Sequence, residues 1–235
     1  MDFSAFSGPA FWAALLSIIV ANILLSGDNA VVIALASRNL PAHQQKKAIF
    51  WGSAAAIILR VVLTVTAVQL LTLPYLKIIG AILLVYIGVQ LLADSDDEGE
   101  MEGSSNILGA IRTILVADLV MSLDNVLAVA AAAQKGPEET RLALLIIGLG
   151  LSIPLIIFGS TMLLKVMDRF PIIITLGAGL LGLLAGGMLV EDPAIKESMQ
   201  SAFEDAHMIF EGIGVAIVIL LGSYLKKKNA GKESK

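Results

Sequence analysis

The sequence predicts an all-α, polytopic membrane protein with seven transmembrane helices, and three observations support this fold class. The 235-residue chain is 57% hydrophobic and only 15% charged, whereas soluble domains carry about a quarter charged residues. Its apolar residues are collected in runs long enough to cross a bilayer, which takes about 20 residues. A polar motif recurs at matching positions in two of these runs, which indicates an internal repeat. The absence of cysteine excludes disulfides and thiolate metal sites.

Seven apolar runs give the predicted spans. We place them at about residues 10–36, 48–72, 75–92, 107–133, 142–166, 171–190 and 208–225. The predicted connections are Arg38–Lys47, the turn Leu73-Pro74, an acidic linker at 94–105, Gln134–Arg141, a short turn before Pro171, and Glu191–His207. Pro154 is expected to kink the fifth span, and residues 226–235 are expected to form a polar, basic tail.

The charges of the connections predict the orientation, because Lys and Arg concentrate on the cytoplasmic side of a membrane. With the N-terminus outside, eleven of the sixteen basic residues fall in cytoplasmic segments and four in outer ones. The remaining one, Arg60, lies within a span. We therefore expect the N-terminus outside and the C-terminus in the cytoplasm. The first run is expected to remain as a span, since no basic region precedes it as in a cleavable signal.

A polar motif lies deep within the first and fourth runs. Its copies read Asn22-Ile23-Leu24-Leu25-Ser26-Gly27-Asp28-Asn29 and Asp118-Leu119-Val120-Met121-Ser122-Leu123-Asp124-Asn125. A carboxylate near the centre of a membrane helix costs roughly 2.5–3.5 kcal/mol on insertion scales. A chain that carries this cost in both copies is expected to use the oxygens, and a cation pathway is the first hypothesis.

The offset of 96 residues between the copies persists beyond the motif. Gly52 matches Gly148 at this offset, and Pro74 matches Pro171 at an offset of 97. The first repeat (about 10–92) therefore corresponds to the second (about 107–190), with the seventh helix appended. Because each repeat has three spans, an odd number, the halves are predicted to cross in opposite directions. This is the inverted-repeat plan of many secondary transporters.

Two arrangements of the motif carboxylates stay open. Antiparallel helices place Asp28 toward the cytoplasm and Asp124 toward the outside, too far apart to share one ion if both helices are straight. Either the helices break at the motifs, which Gly27 favours, or an ion passes between two half-sites. A break is expected to bring carboxylate, amide and hydroxyl together. Such oxygen ligands suit Mg²⁺, Ca²⁺ or Mn²⁺.

The candidate metal-binding residues are the polar members of both motifs, with Arg60 as a candidate charge partner for the acids. They are Asn22, Ser26, Asp28, Asn29, Asp118, Ser122, Asp124 and Asn125. The alternative is structural, through interhelical hydrogen bonds, helix capping or close packing. Interhelical bonds average only about 0.6 kcal/mol in membranes, which is too little to explain buried carboxylates. The thioether of Met121 is interpreted as packing rather than as a ligand.

Acidic and imidazole side chains gather where the seventh helix begins. They are Glu204, Asp205, His207 and Glu211. An outer exit site for an ion is one interpretation, and the start of a helix at the membrane interface is the one we favour. The acidic linker is likewise interpreted as a solvated segment rather than a metal sensor.

Through these paired motifs the chain resembles the TerC family of integral membrane proteins. Within it the similarity is to the branch of YjbE-like metal transporters, in the LysE-type exporter superfamily, over about residues 10–225. The resemblance implies a multi-pass protein of the bacterial inner or plasma membrane that exports divalent metal, foremost Mn²⁺. It implies metal binding by Asp28, Asn29, Asp118, Asp124 and Asn125. Some relatives carry charged residues late in the third and sixth spans, where this chain has Gln90 and Gly187, so a charge pair gating that end is not expected.

The sequence thus predicts a secondary transporter that exports divalent cations by alternating access, with proton exchange at the carboxylates as a hypothetical driving force. No enzymatic activity, resident cofactor or nucleic-acid partner is expected. The expected partners are the transported ion and membrane lipid, and a homo-oligomer is compatible with the sequence. Two alternatives stay open: a metal-binding membrane scaffold or sensor without transport, and an amino-acid exporter by analogy with the superfamily.

Overall fold

The fold is taken from a computed structural model, which describes residues 8–70, 73–93, 103–203 and 205–233. Within these residues the chain is helical and contains no strand, which confirms the all-α class. The helices are α1 (Pro9–Leu24), α2 (Gly27–Ser37), α3 (Ala42–Leu70), α4 (Leu76–Ala93), α5 (Gly103–Gln134), α6 (Arg141–Gly150), α7 (Ile153–Arg169), α8 (Ile172–Val190), α9 (Lys196–Ala202) and α10 (Ala206–Glu233). A single 3₁₀ turn, Glu138–Thr140, precedes α6.

The described residues hold five to seven candidate membrane spans. Five segments are long and apolar enough as they stand: Ala42–Val65, Leu76–Ala93, Glu138–Arg169, Ile172–Val190 and Ala206–Asn229. Two further pairs of helical segments are long and apolar enough to cross a membrane when each pair is counted as one bent span. These are Pro9–Asn22 with Gly27–Ser37, bent by 48°, and Ile107–Leu123 with Asn125–Gln134, bent by 61°. Each of the seven predicted runs corresponds to one of these segments or pairs.

Several helices are longer than the apolar runs that predicted them. The predicted connection Arg38–Lys47 shortens to residues 38–41, because α3 already begins at Ala42. Residues predicted to form a polar tail continue α10 as far as Glu233. Hydropathy marks the part of a helix that suits lipid, whereas helical hydrogen bonds continue through Lys, Gln and Glu, which are good helix formers. Residues 94–102 of the predicted acidic linker lie outside the described residues.

The fifth span is interrupted before Pro154, as the sequence predicts. Helix α6 ends at Gly150, and Pro154 falls in the first turn of α7, where its missing N–H leaves no intrahelical bond unmade. The hydroxyl of Ser152 at this break donates to the carbonyl of Gly148 at 3.2 Å. Local hydrogen bonding therefore remains at the break between α6 and α7.

Glycines allow the helix backbones of α8 and α10 to touch. A Cβ at Gly182 would overlap the backbone of Gly214, and a Cβ at Gly186 would overlap the backbone of Phe210. Small residues are what permits such close approach between membrane helices. Helix α10 packs on α8 in this way. It also packs on α4, so the seventh span contacts both the sixth and the third.

Two further glycine contacts are related by the 96-residue offset. A Cβ at Gly52 would lie 2.7 Å from Cδ1 of Ile114, and a Cβ at Gly148 would lie 2.5 Å from Cγ2 of Ile18. Ile18 and Ile114 are themselves 96 residues apart. Each glycine thus packs against the corresponding isoleucine of the opposite repeat. This exchange of contacts is what a two-fold relation between the repeats produces; the direction in which each half crosses the membrane stays a prediction.

Candidate functional site

The first motif lies at the break between α1 and α2. In a continuous helix the N–H of Asn29 would donate to the carbonyl of Leu25, four residues earlier. Here the N–H of Asn29 donates instead to Oδ1 of Asp28, at 2.7 Å, in the first turn of α2. The carbonyl of Leu25 is therefore released from the helix and accepts the side-chain amide of Asn29 at 3.4 Å.

The second motif meets the first at this released carbonyl. The side-chain amide of Asn125 donates to the carbonyl of Leu25 at 3.2 Å. Asn125 follows the 61° bend in α5, so both motif-bearing spans bend at the motif. This is the arrangement that the broken-helix alternative requires. Irregular backbone at membrane depth is tolerated only where protein or a wet cavity satisfies its polar groups.

Arg60 of α3 lies at the centre of a buried polar network between three spans. Its side chain is 1% exposed. Nη1 donates to Oδ1 of Asn22 at 2.9 Å, Nε donates to Oγ of Ser122 at 3.0 Å, and Nη2 pairs with Oδ1 of Asp118. The hydroxyl of Ser122 in turn donates to Oδ2 of Asp118, and the hydroxyl of Ser26 to Oδ1 of Asn22, both at 3.2 Å. Within this network Asp118 is the acid that pairs with Arg60.

This network corrects the expectation that carboxylate, amide and hydroxyl gather in one group at the break. Ser122 accepts from Arg60 instead, and Ser26 donates to Asn22, because a buried guanidinium requires several acceptors in a fixed fork geometry. One donor remains unused: Nδ2 of Asn22 is buried and has no acceptor among the described residues. The other four residues of the network are therefore arranged around the guanidinium of Arg60 and not around an open position for a cation.

Asp28 lies outside this network and lines a cavity. The cavity has a volume of about 250 Å³, and Asn125 of the second motif lines it as well. Most of the cavity wall is apolar and consists of Leu84, Met121, Leu183, Leu184, Gly187 and Met188. Glu191, His207 and Glu211 line the remainder. One carboxylate and one amide, each from a different motif, therefore share a space inside the bundle.

The predicted site residues thus fall into two groups. Asn22, Ser26, Asp118 and Ser122 surround Arg60, while Asp28, Asn29 and Asn125 lie at the helix breaks. Oδ1 of Asn29 is buried without a donor among the described residues. The side chain of Asp124 is outside the part that the structure describes. No three Asp, Glu or His side chains in the described part are arranged to hold a metal ion on their own.

Three titratable side chains lie together at the end of the cavity formed by α8 and α10, which we call the mouth. Nε2 of His207 lies 3.8 Å from Oε1 of Glu191, and Nδ1 of His207 lies 3.9 Å from Oε1 of Glu211. Nζ of Lys77 donates to Oε2 of Glu191 at 2.9 Å. This hydrogen bond with Lys77 is the main cause that lowers the pKa of Glu191 below its usual value. Glu191 is therefore ionised at neutral pH.

The sequence is interpreted to place His207 and Glu211 simply at the start of a helix, but the structure gives them a further position. Both side chains line the cavity that Asp28 lines, a relation that the sequence pattern does not reveal. A Cβ at Gly187 would lie 3.3 Å from Oε1 of Glu211, so this glycine leaves room for a carboxylate supplied by α10. The titratable groups at this end come from Glu191 and α10, whereas the expectation of no gating charge pair concerned positions 90 and 187 and stays a prediction. Glu204 lies outside the described residues.

Asp192 is a buried residue that the sequence analysis did not single out. Its Oδ1 accepts the N–H groups of Tyr75 and Ala194, at 2.9 and 2.8 Å, and its Oδ2 those of Lys77 and Ile78, at 3.0 and 3.2 Å. Burial on its own would raise the pKa of Asp192, but these four hydrogen bonds outweigh it and lower the pKa below its usual value. The carboxylate thus caps the start of α4 and fixes the position of the adjacent Glu191.

The fold and the site define a class: a polytopic helical membrane protein with two bent spans whose polar side chains meet in the interior. The sequence profile of the integral membrane protein TerC family matches residues 7–230. The chain belongs to this family, which confirms the family-level resemblance drawn from its paired motifs.

Two bacterial relatives match nearly the whole chain, and a third matches about half of it. Over 213 residues the chain is 40% identical to the uncharacterized membrane protein YjbE of Bacillus subtilis (strain 168), covering 91% of this chain and 95% of that protein. It is 27% identical over 239 residues to the uncharacterized membrane protein YceF of the same organism, covering 96% and 87%. It is 30% identical over 146 residues to the UPF0053 inner membrane protein YgdQ of Escherichia coli (strain K12), covering 54% and 61%. No solved structure matches.

Proposed function

We propose that the protein is a secondary transporter that exports divalent cations from the cytoplasm, with Mn²⁺ as the leading candidate. The observation that carries the proposal is the shared cavity of Asp28 and Asn125, one residue from each motif, between two bent spans. A carboxylate at membrane depth is costly, and such residues usually mark ion pathways. Sites near the midplane at the interface of two repeats, built on broken helices, are typical of secondary transporters.

The charges favour a cation over a zwitterion. Because Arg60 is engaged by Asp118, its three donor nitrogens are not available to an incoming carboxylate. The basic side chain nearest the mouth, Lys77, is engaged by Glu191. An amino acid would need a free cationic partner for its carboxylate, whereas a metal ion needs the acidic oxygen that Asp28 offers. The cavity therefore fits a metal exporter better than an amino-acid exporter.

The ligand chemistry favours hard divalent ions. The carboxylate of Asp28 and the side-chain oxygen of Asn125 are ligands that Mg²⁺, Ca²⁺ and Mn²⁺ accept. The wall of the cavity adds the thioether of Met121. A softer ligand near the oxygens would favour Mn²⁺ over Mg²⁺ and Ca²⁺, which is why Mn²⁺ is placed first.

The proposed mechanism is alternating access around the paired motifs. With the N-terminus outside, as the loop charges predict, the ends of α8 and α10 at Glu191 and His207 face the outside. The cavity would then be the release path of the exported ion. In this mechanism the Arg60 network would close the opposite side of the motifs, and proton exchange at the carboxylates is the proposed driving force.

Flux of Mn²⁺ into proteoliposomes that contain only this protein tests the proposal. We expect an indicator sealed inside to report Mn²⁺ uptake, and Asp28→Asn to lower the rate by about tenfold or more, because it removes the charged ligand. Glu197→Gln, an exposed carboxylate of α9, is the matched control and should transport as the wild type does. Wild-type flux in Asp28→Asn would overturn the transport model. Mn²⁺ binding without any flux would favour the scaffold or sensor alternative.

A further inference from the structure

Arg60 lies between two corresponding pairs of polar side chains, one pair from each repeat. In the first repeat the hydroxyl of Ser26 donates to Oδ1 of Asn22 at 3.2 Å. In the second repeat the hydroxyl of Ser122 donates to Oδ2 of Asp118 at the same distance. The members of the two pairs are 96 residues apart in the sequence, and the guanidinium donates to both pairs. The two repeats therefore surround one cation with corresponding oxygen ligands.

The cation in this position is supplied by one repeat only. The residue that corresponds to Arg60 at the same offset is Ile156, which is buried and apolar. Arg60 and Asn22 belong to the first repeat and Asp118 to the second, so the ion pair crosses the boundary between the repeats. Alternating access moves one repeat or bundle against the other largely as a rigid body. Such a movement separates Arg60 from Asp118, while Asn22 moves together with Arg60.

The oxygens that hold the guanidinium also suit the transported ion. The carboxylate of Asp118 and the amide oxygen of Asn22 are ligands that hard divalent cations accept. Arg60 uses both oxygens, so the two cations cannot occupy them together. Nδ2 of Asn22 is left buried without an acceptor among the described residues. A buried network with one unused donor is less stable than a complete one, so a second arrangement lies closer in free energy.

The network lies directly beside the cavity. Met121 lines the cavity, and the next residue, Ser122, accepts from Arg60. Arg60 and Asp118 are close enough to Asp28 for their charges to act on it. While Arg60 holds Asp118, the two charges compensate each other, and a cation beside Asp28 gains little from the second acid. Once the pair separates, both carboxylates attract the cation.

We propose that Arg60 is a tethered cation that competes with the transported ion for Asp118 and thereby lowers the affinity for that ion at release. This inference rests on the proposed function, because it concerns the release step of the same ion. In the conformation described, the cavity is the proposed release path and Arg60 holds Asp118, so the ion at Asp28 is weakly bound and leaves. In the opposite conformation Asp118 is separated from Arg60 and adds its carboxylate to the loading site.

Equilibrium binding of Mn²⁺ to Arg60→Ala tests the competition independently of transport. Because the substitution frees Asp118, we expect the dissociation constant for Mn²⁺ to fall about tenfold or more, the size of effect that close, desolvated charge pairs produce. Guanidinium ion at low millimolar concentration should raise the constant again in Arg60→Ala and leave the wild type unaffected. Arg112→Ala, at an exposed arginine of α5, is the matched control and should bind Mn²⁺ as the wild type does.

Two further variants separate competition from a purely structural role. Arg60→Ala combined with Asp118→Asn has no freed carboxylate, so the gain in affinity should disappear. Arg60→Lys keeps a tethered charge and serves if Arg60→Ala does not stay monodisperse in detergent. Its ammonium lacks the fork that holds several acceptors, so we expect a smaller gain that still exceeds the wild type. Unchanged or weaker Mn²⁺ binding in the folded Arg60 variants, or a gain that persists with Asp118→Asn, would overturn the inference.

Transport kinetics separate this inference from the proposed function. We expect Arg60→Lys to lower both the half-saturating Mn²⁺ concentration and the maximal rate, because the ion is held more tightly when it should leave. A structural defect alone would not lower the half-saturating concentration. Wild-type Mn²⁺ affinity in the Arg60 variants beside an inactive Asp28→Asn would refute the tethered competitor alone. Wild-type flux in Asp28→Asn would refute the proposed function.

Discussion

At the scale of single residues, Arg60 and its acceptors are the most constrained feature of the interior. A buried ion pair persists only if further hydrogen bonds satisfy both partners, because desolvation of the two charges is costly. Arg60 meets this condition with acceptors from two other helices, Asn22 on α1 and Asp118 and Ser122 on α5. The residue therefore holds three spans together at membrane depth.

Arg60→Gln is expected to destabilise the fold by roughly 3–5 kcal/mol, because it leaves the charge of Asp118 buried without a partner. Arg60→Lys should recover only part of the loss, since an ammonium lacks the planar fork that serves three acceptors. The double variant Arg60→Met with Asp118→Leu should recover more, because both charges are removed. Thermal unfolding in detergent, followed by size-exclusion chromatography, measures these differences.

Arg112→Gln, at an exposed position of α5, is the control and should stay within about 0.5 kcal/mol of the wild type. If Arg60→Gln unfolded at the wild-type temperature, the ion pair would not be a stabilising element and its assignment would be wrong.

The sequence predicts which residues are special here, but not how they are grouped. An acid, an amide or a guanidinium is conspicuous in an apolar run, so Asp28, Asp118 and Arg60 could be identified directly. Their partners could not, because a bend changes the direction in which each following side chain points, by about 100° per residue along a helix. Ser26 therefore donates to Asn22 in the Arg60 network while Asp28, two residues later, lines the cavity.

At the scale of the helices, the apolar runs predict well where each helix lies along the chain, but they predict poorly where it begins and ends. All seven runs contain helix, since an uninterrupted apolar segment has no other stable form in lipid. The ends extend further because polar residues such as those after Lys226 support helix equally well in water. The capping of α4 by Asp192 was not predictable, because its partners Tyr75 and Lys77 are more than a hundred residues away.

The contact between α8 and α10 gives a prediction at this scale. Gly214→Leu should destabilise the bundle by about 1–3 kcal/mol or more, because the new side chain would overlap the backbone of Gly182. Gly212→Leu, on the same helix, is the matched control, since a Cβ there meets nothing within 4 Å. The melting temperature and the monodisperse fraction in detergent compare the two. Equal behaviour of both variants would contradict the close packing of these helices.

At the scale of the whole molecule, the exchanged glycine and isoleucine contacts favour a two-fold relation between the halves. Gly52 with Ile114 and Gly148 with Ile18 are the same contact with the repeats interchanged. The sequence predicts the repeat from its 96-residue offset, and the inverted direction from the odd number of spans. Only accessibility from the two sides of a membrane tests that direction.

Single-cysteine labelling makes this test straightforward, because the chain has no cysteine of its own. Asn39 and Lys135 are exposed, lie in corresponding connections and are 96 residues apart. In intact cells we expect an impermeant maleimide to label Lys135→Cys, and to label Asn39→Cys only after permeabilisation. Labelling of both from one side would show that the halves run parallel. Labelling in the reverse pattern would keep the inverted repeat and change only the orientation of the termini.

The released carbonyl of Leu25 has a consequence for how the two halves can move. The N–H of Asn29 has exchanged this carbonyl for the carboxylate of Asp28, and the vacated oxygen accepts an amide from the other half. A ligand that withdrew Asp28 from that N–H would let the backbone close its ordinary helical bond and expel Asn125. Straightening of one half would thus be felt at once by the other, through a single oxygen atom rather than through a long relay.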